Sequence, residues 1–358
     1  MPEKQVEPKS MDSLPPEVLS LIFSLLPPDT QATSRSVCKL WLSLLISPLS
    51  LSSPPWFLAM APHDCRHHCY ARNPRLKKWH SLSLLPSLPA NFCHPVSGVG
   101  GLLLCRNASS NSLSLSICEP FFGGSRILPP LLSPRRAPAL AACVTQHGLQ
   151  VCVAGGASSS GYERTVEVYK SWIGSWCHAG EVPDRLAGRL AVWAGGEGVW
   201  CGGVVYWMTS ARPFRVVNWK GGCIWGEVEV PTGGLIGCSG LVEREGNVAL
   251  VGGDGFGGVC VWELKGEGEW SEVGRVPRDM VGRLVKRGAG THKCVAGEGV
   301  VYVYGESREG VVVWRKREKE WEWELGEGLE LGCGGEKGFP IKGVVVQPGL
   351  MASCVDSF

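Results

Sequence analysis

No stretch of this chain reaches the roughly 18 consecutive apolar residues that a membrane-spanning helix needs. Ser and Pro interrupt the leucines between residues 40 and 51. The opening residues MPEKQVEPKS contain no apolar core of the signal-peptide kind, so the expected compartment is cytoplasm or nucleus. Charge is scarce, at 19% of residues, and no block of one sign occurs, with a net charge of +2. The richest basic run, Arg315-Lys316-Arg317, is followed at once by Glu318 and Glu320, which reads as a solvated hairpin and not as a nucleic-acid patch. Neither nucleic acid nor membrane is an expected partner. The chain also lacks G-x-x-x-x-G-K-[ST] and G-x-S-x-G, so neither a phosphate-binding loop nor a nucleophile elbow is available.

What the chain has in excess is glycine, 48 of 358 residues against a usual share of about 7%. There is no G-X-Y period, which excludes collagen and leaves a turn-rich β fold. The length suits one large domain and a small one. Sixteen cysteines are scattered without a disulfide spacing, and Cys105, Cys152 and Cys260 lie inside apolar runs, where cysteine acts as a small hydrophobe. A reducing compartment fits that usage, and the sequon Asn107-Ala108-Ser109 is then unused.

The stretch from Leu14 to Pro48 is different in kind. Pro15 and Pro16 suit a helix start, where a missing N–H costs nothing. Val18, Leu19, Ile22, Phe23, Leu25 and Leu26 then recur at helical spacing until Pro27-Pro28 stops the helix. A second pattern places Val37, Leu40, Trp41, Leu44 and Leu45 on one face and ends at Pro48. So short a segment cannot bury this much apolar surface against itself. Either it packs on the rest of the chain or it docks on another protein.

The order LPxE, apolar helix, LPP, VCKxW and apolar turn resembles an F-box, the adaptor-binding motif of cullin–RING ubiquitin ligases. The resemblance implies a docking face for a Skp-type adaptor made of Leu14, Pro15, Ile22, Leu25, Leu26, Pro27, Val37, Cys38, Trp41 and Leu44. Gln31 and Ala32 stand where the family carries apolar residues, so a less apolar middle helix is expected.

From residue 56 onward another period takes over. Apolar runs begin at Phe57, Leu102, Val151, Val205, Val248 and Val301, spaced by 45, 49, 54, 43 and 53 residues. Gly155-Gly156 and Gly252-Gly253 follow two of them directly. Trp79, Trp176, Trp225, Trp270 and Trp321 come later in their units, four of them preceded by Tyr169, Trp219, Trp262 or Trp314. A period near 50 with paired aromatics and glycines is the mark of kelch-type β-propeller blades. Six blades are expected, with Ile341–Val346 added as a strand beside Phe57–Met60 to close the ring. The second unit departs by carrying Arg126 in place of Trp, and the fourth has Thr209-Ser210 in place of Gly-Gly. The region resembles the kelch-repeat domain behind the F-box of many plant proteins. The division that follows is a disordered segment over 1–10, the F-box over 11–50 and the propeller over 51–358.

Two clusters could carry chemistry. His63-Asp64-Cys65-Arg66-His67-His68-Cys69 holds metal-ligand residue types, but as a strand it would spread Cys65, His67 and Cys69 too far for one ion, so no metal site is assigned. Gly253-Asp254-Gly255-Phe256-Gly257-Gly258 satisfies G-x-G-x-x-G, yet the strand-like Val259-Cys260-Val261-Trp262 follows where a dinucleotide site needs a helix, so a hairpin turn is expected. Arg185, Arg189, Arg212, Arg278 and Arg283 read as ordinary solvated loop residues. No catalytic residue and no cofactor is expected.

The function implied is therefore that of a non-catalytic subunit that recognises substrates for an SCF-type ubiquitin ligase. Its F-box would bind the Skp adaptor directly, with cullin and RING subunits as indirect partners, and its propeller would hold an unidentified protein target. The alternatives are a kelch interaction scaffold that delivers no substrate, and a propeller enzyme.

Overall fold

The computed structural model describes residues 14–26, 28–46, 54–85, 87–107, 112–121, 123–190, 197–210, 212–231, 239–254, 256–284, 292–305, 310–318, 320–326 and 341–347. The segment 1–10, expected to be disordered, lies outside them. Three helices come first: α1 (Pro16–Leu25), α2 (Pro28–Ser34) and α3 (Lys39–Ile46). The rest of the described chain is dominated by four-stranded antiparallel sheets.

Six such sheets follow in chain order. Blade II contains His94–Val99, Leu102–Arg106, Leu115–Cys118 and Ser125–Ile127. Blade III contains Ala139–Thr145, Gly148–Ala154, Thr165–Lys170 and Ser175–Glu181. Blade IV contains Val199–Cys201, Val204–Met208, Arg215–Trp219 and Trp225–Glu229. Blade V contains Ser239–Arg244, Asn247–Gly253, Val259–Leu264 and Trp270–Arg275. Blade VI contains His292–Gly297, Val300–Gly305, Val311–Arg317 and Glu320–Gly326. Blade I is the exception, joining the last strand of the chain, Lys342–Val346, to Trp56–Met60, Cys69–Arg72 and Trp79–Leu82.

The first strand of each blade touches the first strand of the next all the way round, so the sheets close into a ring. A parallel bridge between Ala141 and Gly198 shows that the inner strands of blades III and IV run the same way. Every blade being an up-and-down meander, the long connections and the turns between second and third strands share one face. The tight turns occupy the other.

Closure takes the form the sequence predicts. Trp56 pairs with Val346 and Met60 with Lys342 in antiparallel register, so the two ends of the propeller chain form one sheet. The chain crosses from blade I to blade II at very close quarters. A Cβ on Gly98 would sit 1.9 Å from the carbonyl oxygen of Val345, so no larger residue fits there without moving the seam.

The six apolar runs are all second strands, and five of them are buried on both faces between neighbouring sheets, which explains their unbroken apolar character; Val204–Met208 of blade IV alternates instead, with Val205 and Trp207 buried. The tryptophans mark fourth strands. Tyr169 lies opposite Trp176 and Trp219 opposite Trp225 in register, with ring centroids 5.5 and 6.4 Å apart. The indole N–H groups also tie blades together. Trp176 donates to the Pro129 carbonyl, Trp225 to Glu181 and Trp270 to Glu229, each at 2.7 Å and each where the preceding blade ends. Valine then turns inward at the exits: Val182, Val230 and Val276 are buried. Pro183 and Pro277 follow two of them and lead into the short helices α4 (Asp184–Ala187) and α5 (Arg278–Leu284).

The 63–69 cluster forms a turn, not a strand, and only Cys69 enters one. Cys65 and Cys69 point into the core with Cys105 and Cys118, while exposed His67 pairs with Asp64 at 2.6 Å. Among the described residues, no group of three metal-ligating side chains is placed to hold an ion. The Gly253–Gly258 motif is a hairpin turn, as expected, closed by the Asp254 carboxylate accepting the N–H groups of Phe256 and Gly258 at 2.9 Å each.

Candidate docking surface of the helical module

α1 begins with Pro15 in an extended conformation and Pro16 as its first helical residue, and the Pro15 carbonyl accepts the N–H groups of Val18 and Leu19. Glu17 in the first turn is favourable against the helix dipole. Cys38 starts α3: its sulfur accepts the backbone N–H of Trp41 at 3.4 Å, the position an N-cap side chain takes. These local signals set where the helices begin; packing sets how they meet.

The module has a core of its own, made by Leu19, Phe23, Leu44 and Leu45 with Leu26 and Trp41 against it. Phe23 and Trp41 meet edge to face at 5.0 Å. Gln31, which makes the middle helix less apolar, is buried and donates its amide to the Leu26 carbonyl at 3.0 Å, which satisfies the end of α1. Its polarity is therefore used inside the module. α2 lies against the Trp79–Leu82 strand of blade I. Burial lowers the pKa of Arg35, just beyond α2, and the Glu119 carboxylate of blade II opposes that shift.

The residues named for docking separate into two groups. Leu14, Pro15, Leu25 and Val37 are exposed, Val37 at 61%, and Ile22 and Cys38 are half-buried. Leu44, at 8% exposure, belongs to the module's own core, and Trp41 and Leu26 lean on that core. Leu44 therefore sits inside the module and not on its exposed face. Pro27 lies outside the described residues. Four further large apolar side chains are exposed that sequence reasoning did not assign: Val18, Leu21 at 52%, Leu40 and Leu42. Their signal was present, since a helix apolar on every side must leave some of its surface uncovered, but spacing alone does not say which.

In the ring, two of the loop arginines have partners. Arg185 is paired with Glu227 at 2.7 Å, and Arg189 donates to the Pro213 carbonyl. The thiols of Cys143 and Cys294, on strands lining the axial channel, are pushed up to about 12 by burial and stay protonated. Among the described residues, no helix is long and apolar enough to cross a membrane.

The F-box-like family matches residues 11–52, which contain all three helices of the module. An F-box/kelch-repeat protein of Arabidopsis thaliana, At5g43190, is 30% identical over 295 residues, covering 78% of this chain and 72% of its own length. The chain belongs to the F-box/kelch-repeat family. The Arabidopsis protein UNUSUAL FLORAL ORGANS is also similar, at 24% identity over 353 residues, covering 87% of this chain and 77% of its own.

Proposed function

We propose that this F-box/kelch protein is the substrate-recognition subunit of an SCF-type ubiquitin ligase. The helical module binds a Skp-type adaptor directly, cullin and RING subunits join through that adaptor, and the propeller holds the protein to be modified. The chain makes and breaks no bonds itself. It acts by raising the effective concentration of a target lysine near the charged conjugating enzyme. The working division is an F-box over 11–50 and a propeller over 51–358.

One observation carries this reading. The module needs only Leu19, Phe23, Leu44 and Leu45 for its own core, yet it turns Leu14, Val18, Leu21, Leu25, Val37, Leu40 and Leu42 toward solvent. Large apolar groups gathered on a small module are the mark of a helix-in-groove interface. Thirteen described cysteines are free, which supports action in a reducing compartment, cytoplasm or nucleus.

The test uses Leu21→Asp and Leu25→Asp in the full chain, since both side chains are exposed and neither belongs to the module's core. Capture of the purified Skp adaptor is expected to be lost while the thermal transition is unchanged. Undiminished capture by both variants would refute the reading.

A further inference from the structure

The inner strands leave a channel along the ring axis, and its mouth on the face of the long connections is a cavity of about 230 Å³. Arg106, Lys293, Lys342, Glu197, His63 and His94 all line it. Three permanent cations thus meet a single carboxylate, in a chain whose overall charge is close to balance. The carboxylate is already engaged: Lys342 Nζ lies 2.6 and 2.7 Å from the two Glu197 oxygens. Lys342 begins the inner strand of blade I and Glu197 just precedes that of blade IV, so the pair reaches across the channel. Arg106 is exposed and enters no ion pair among the described residues.

His94 reports the same local field. His63 Nδ1 and His94 Nε2 are 2.8 Å apart, a contact in which one ring must donate and the other accept. Burial, Arg106 and His63, in that order, depress the His94 pKa. A negative group at the mouth would reverse the electrostatic part of that effect.

We propose that this mouth binds an anionic oxygen group, a phosphate or a carboxylate, with Arg106 and Lys342 as its donors and Glu197 as a built-in competitor for Lys342. Charge-assisted hydrogen bonds from lysine and arginine to such oxygens are roughly twice as strong as neutral ones, and a partly enclosed cavity strengthens them further. The group can belong to a free small anion or to an acidic or phosphorylated side chain of a bound protein segment. The proposal stands independently of adaptor binding, because every residue in it lies in the ring.

The experiment is calorimetric titration of the full chain at low salt with inorganic sulfate, whose charge is constant from pH 6 to 7.5, and with an alanine-flanked phosphoserine hexapeptide. Binding of at least one probe is expected, and sulfate should bind tighter at the lower pH because His94 takes up a proton with the anion. Arg106→Gln and Lys342→Gln should each weaken it about tenfold. Glu197→Gln should strengthen it several-fold by releasing Lys342, a gain that misfolding cannot imitate. Lys220→Gln, on the opposite face, serves as the control and should change nothing. A clear preference for the peptide assigns the group to a protein segment, and equal binding assigns it to a free anion. The proposal falls if neither probe binds, if Glu197→Gln gives no gain, or if Lys220→Gln weakens binding as much as Arg106→Gln.

Discussion

His292 opens the inner strand of blade VI with both ring nitrogens buried and without a hydrogen-bond partner among the described residues. Its ring faces Gly253 of blade V, whose Cβ, were there one, would stand 3.9 Å from Nε2. Burial lowers its pKa below the ordinary 6.5. The unfolded chain then takes up a proton at a pH where the folded one does not, so stability is complete above about pH 6.5 and falls as pH drops. His94 carries the same sign, for the reasons of burial and positive neighbours given above. Each such histidine contributes at most about 1.4 kcal/mol per pH unit. Denaturant unfolding at pH 7.0, 6.0 and 5.0 should show this loss, and His292→Phe should flatten the slope while leaving His94's share. The interval stays above the range where carboxylates such as Asp254, raised by burial but held low on balance by the N–H groups of Phe256 and Gly258 and by Arg275, begin to titrate. An identical slope in the variant would remove His292 from the account.

Among elements, the recurring unit is the indole bond from one blade's fourth strand to the exit of the blade before it. Trp176 is the most buried instance, packed against Tyr169 and bonded to the Pro129 carbonyl. Trp176→Phe keeps most of the packing and loses the bond, an expected cost of about 1 kcal/mol. Trp176→Ala adds a cavity, for a total of about 3–5 kcal/mol. Chemical denaturation should rank the two in that order; equal costs would mean that the bond contributes nothing. These tryptophans, and the apolar second strands, were legible in the sequence because their environments leave a compositional trace: burial on both faces gives an unbroken run, and a wedge between sheets selects large rings. The inner strands left almost none. Ser239–Arg244 and His292–Gly297 face a channel on one side and carry Gly, Ser and charge, so nothing separates them from loops by pattern alone. The same limit operated in the module, where α1 and α3 are apolar nearly all round. The motif was readable, but the inward turn of Leu44 and the outward turn of Leu21 depend on which helix lies beside which.

At the scale of the whole molecule, the two ends of the chain have opposite duties. The ring is closed by the last described strand, whose Val344 and Val346 join the core between blades I and II, and whose backbone pairs along all of Trp56–Met60. Without it, blade I has three strands, Trp56–Met60 presents an unpaired edge, and the seam at Gly98 opens, the situation in which edge strands aggregate. The helices at the other end have their own core and meet the ring mainly where α2 lies on Trp79–Leu82, an outermost strand that is not part of the closure. Removing residues 1–50 should therefore leave a monomer that unfolds in one cooperative transition, with a midpoint within a few degrees of the full chain. Removing residues 341–358 should abolish that transition or drive the protein into aggregates, although fewer residues are lost. Light scattering and circular dichroism on the two truncations separate these outcomes. If the C-terminal truncation melted like the full chain, ring closure by Lys342–Val346 would not be what holds the blades together. If the N-terminal truncation failed to fold, the helices would have to be counted as part of the ring's support, and their apolar surface as partly committed to it.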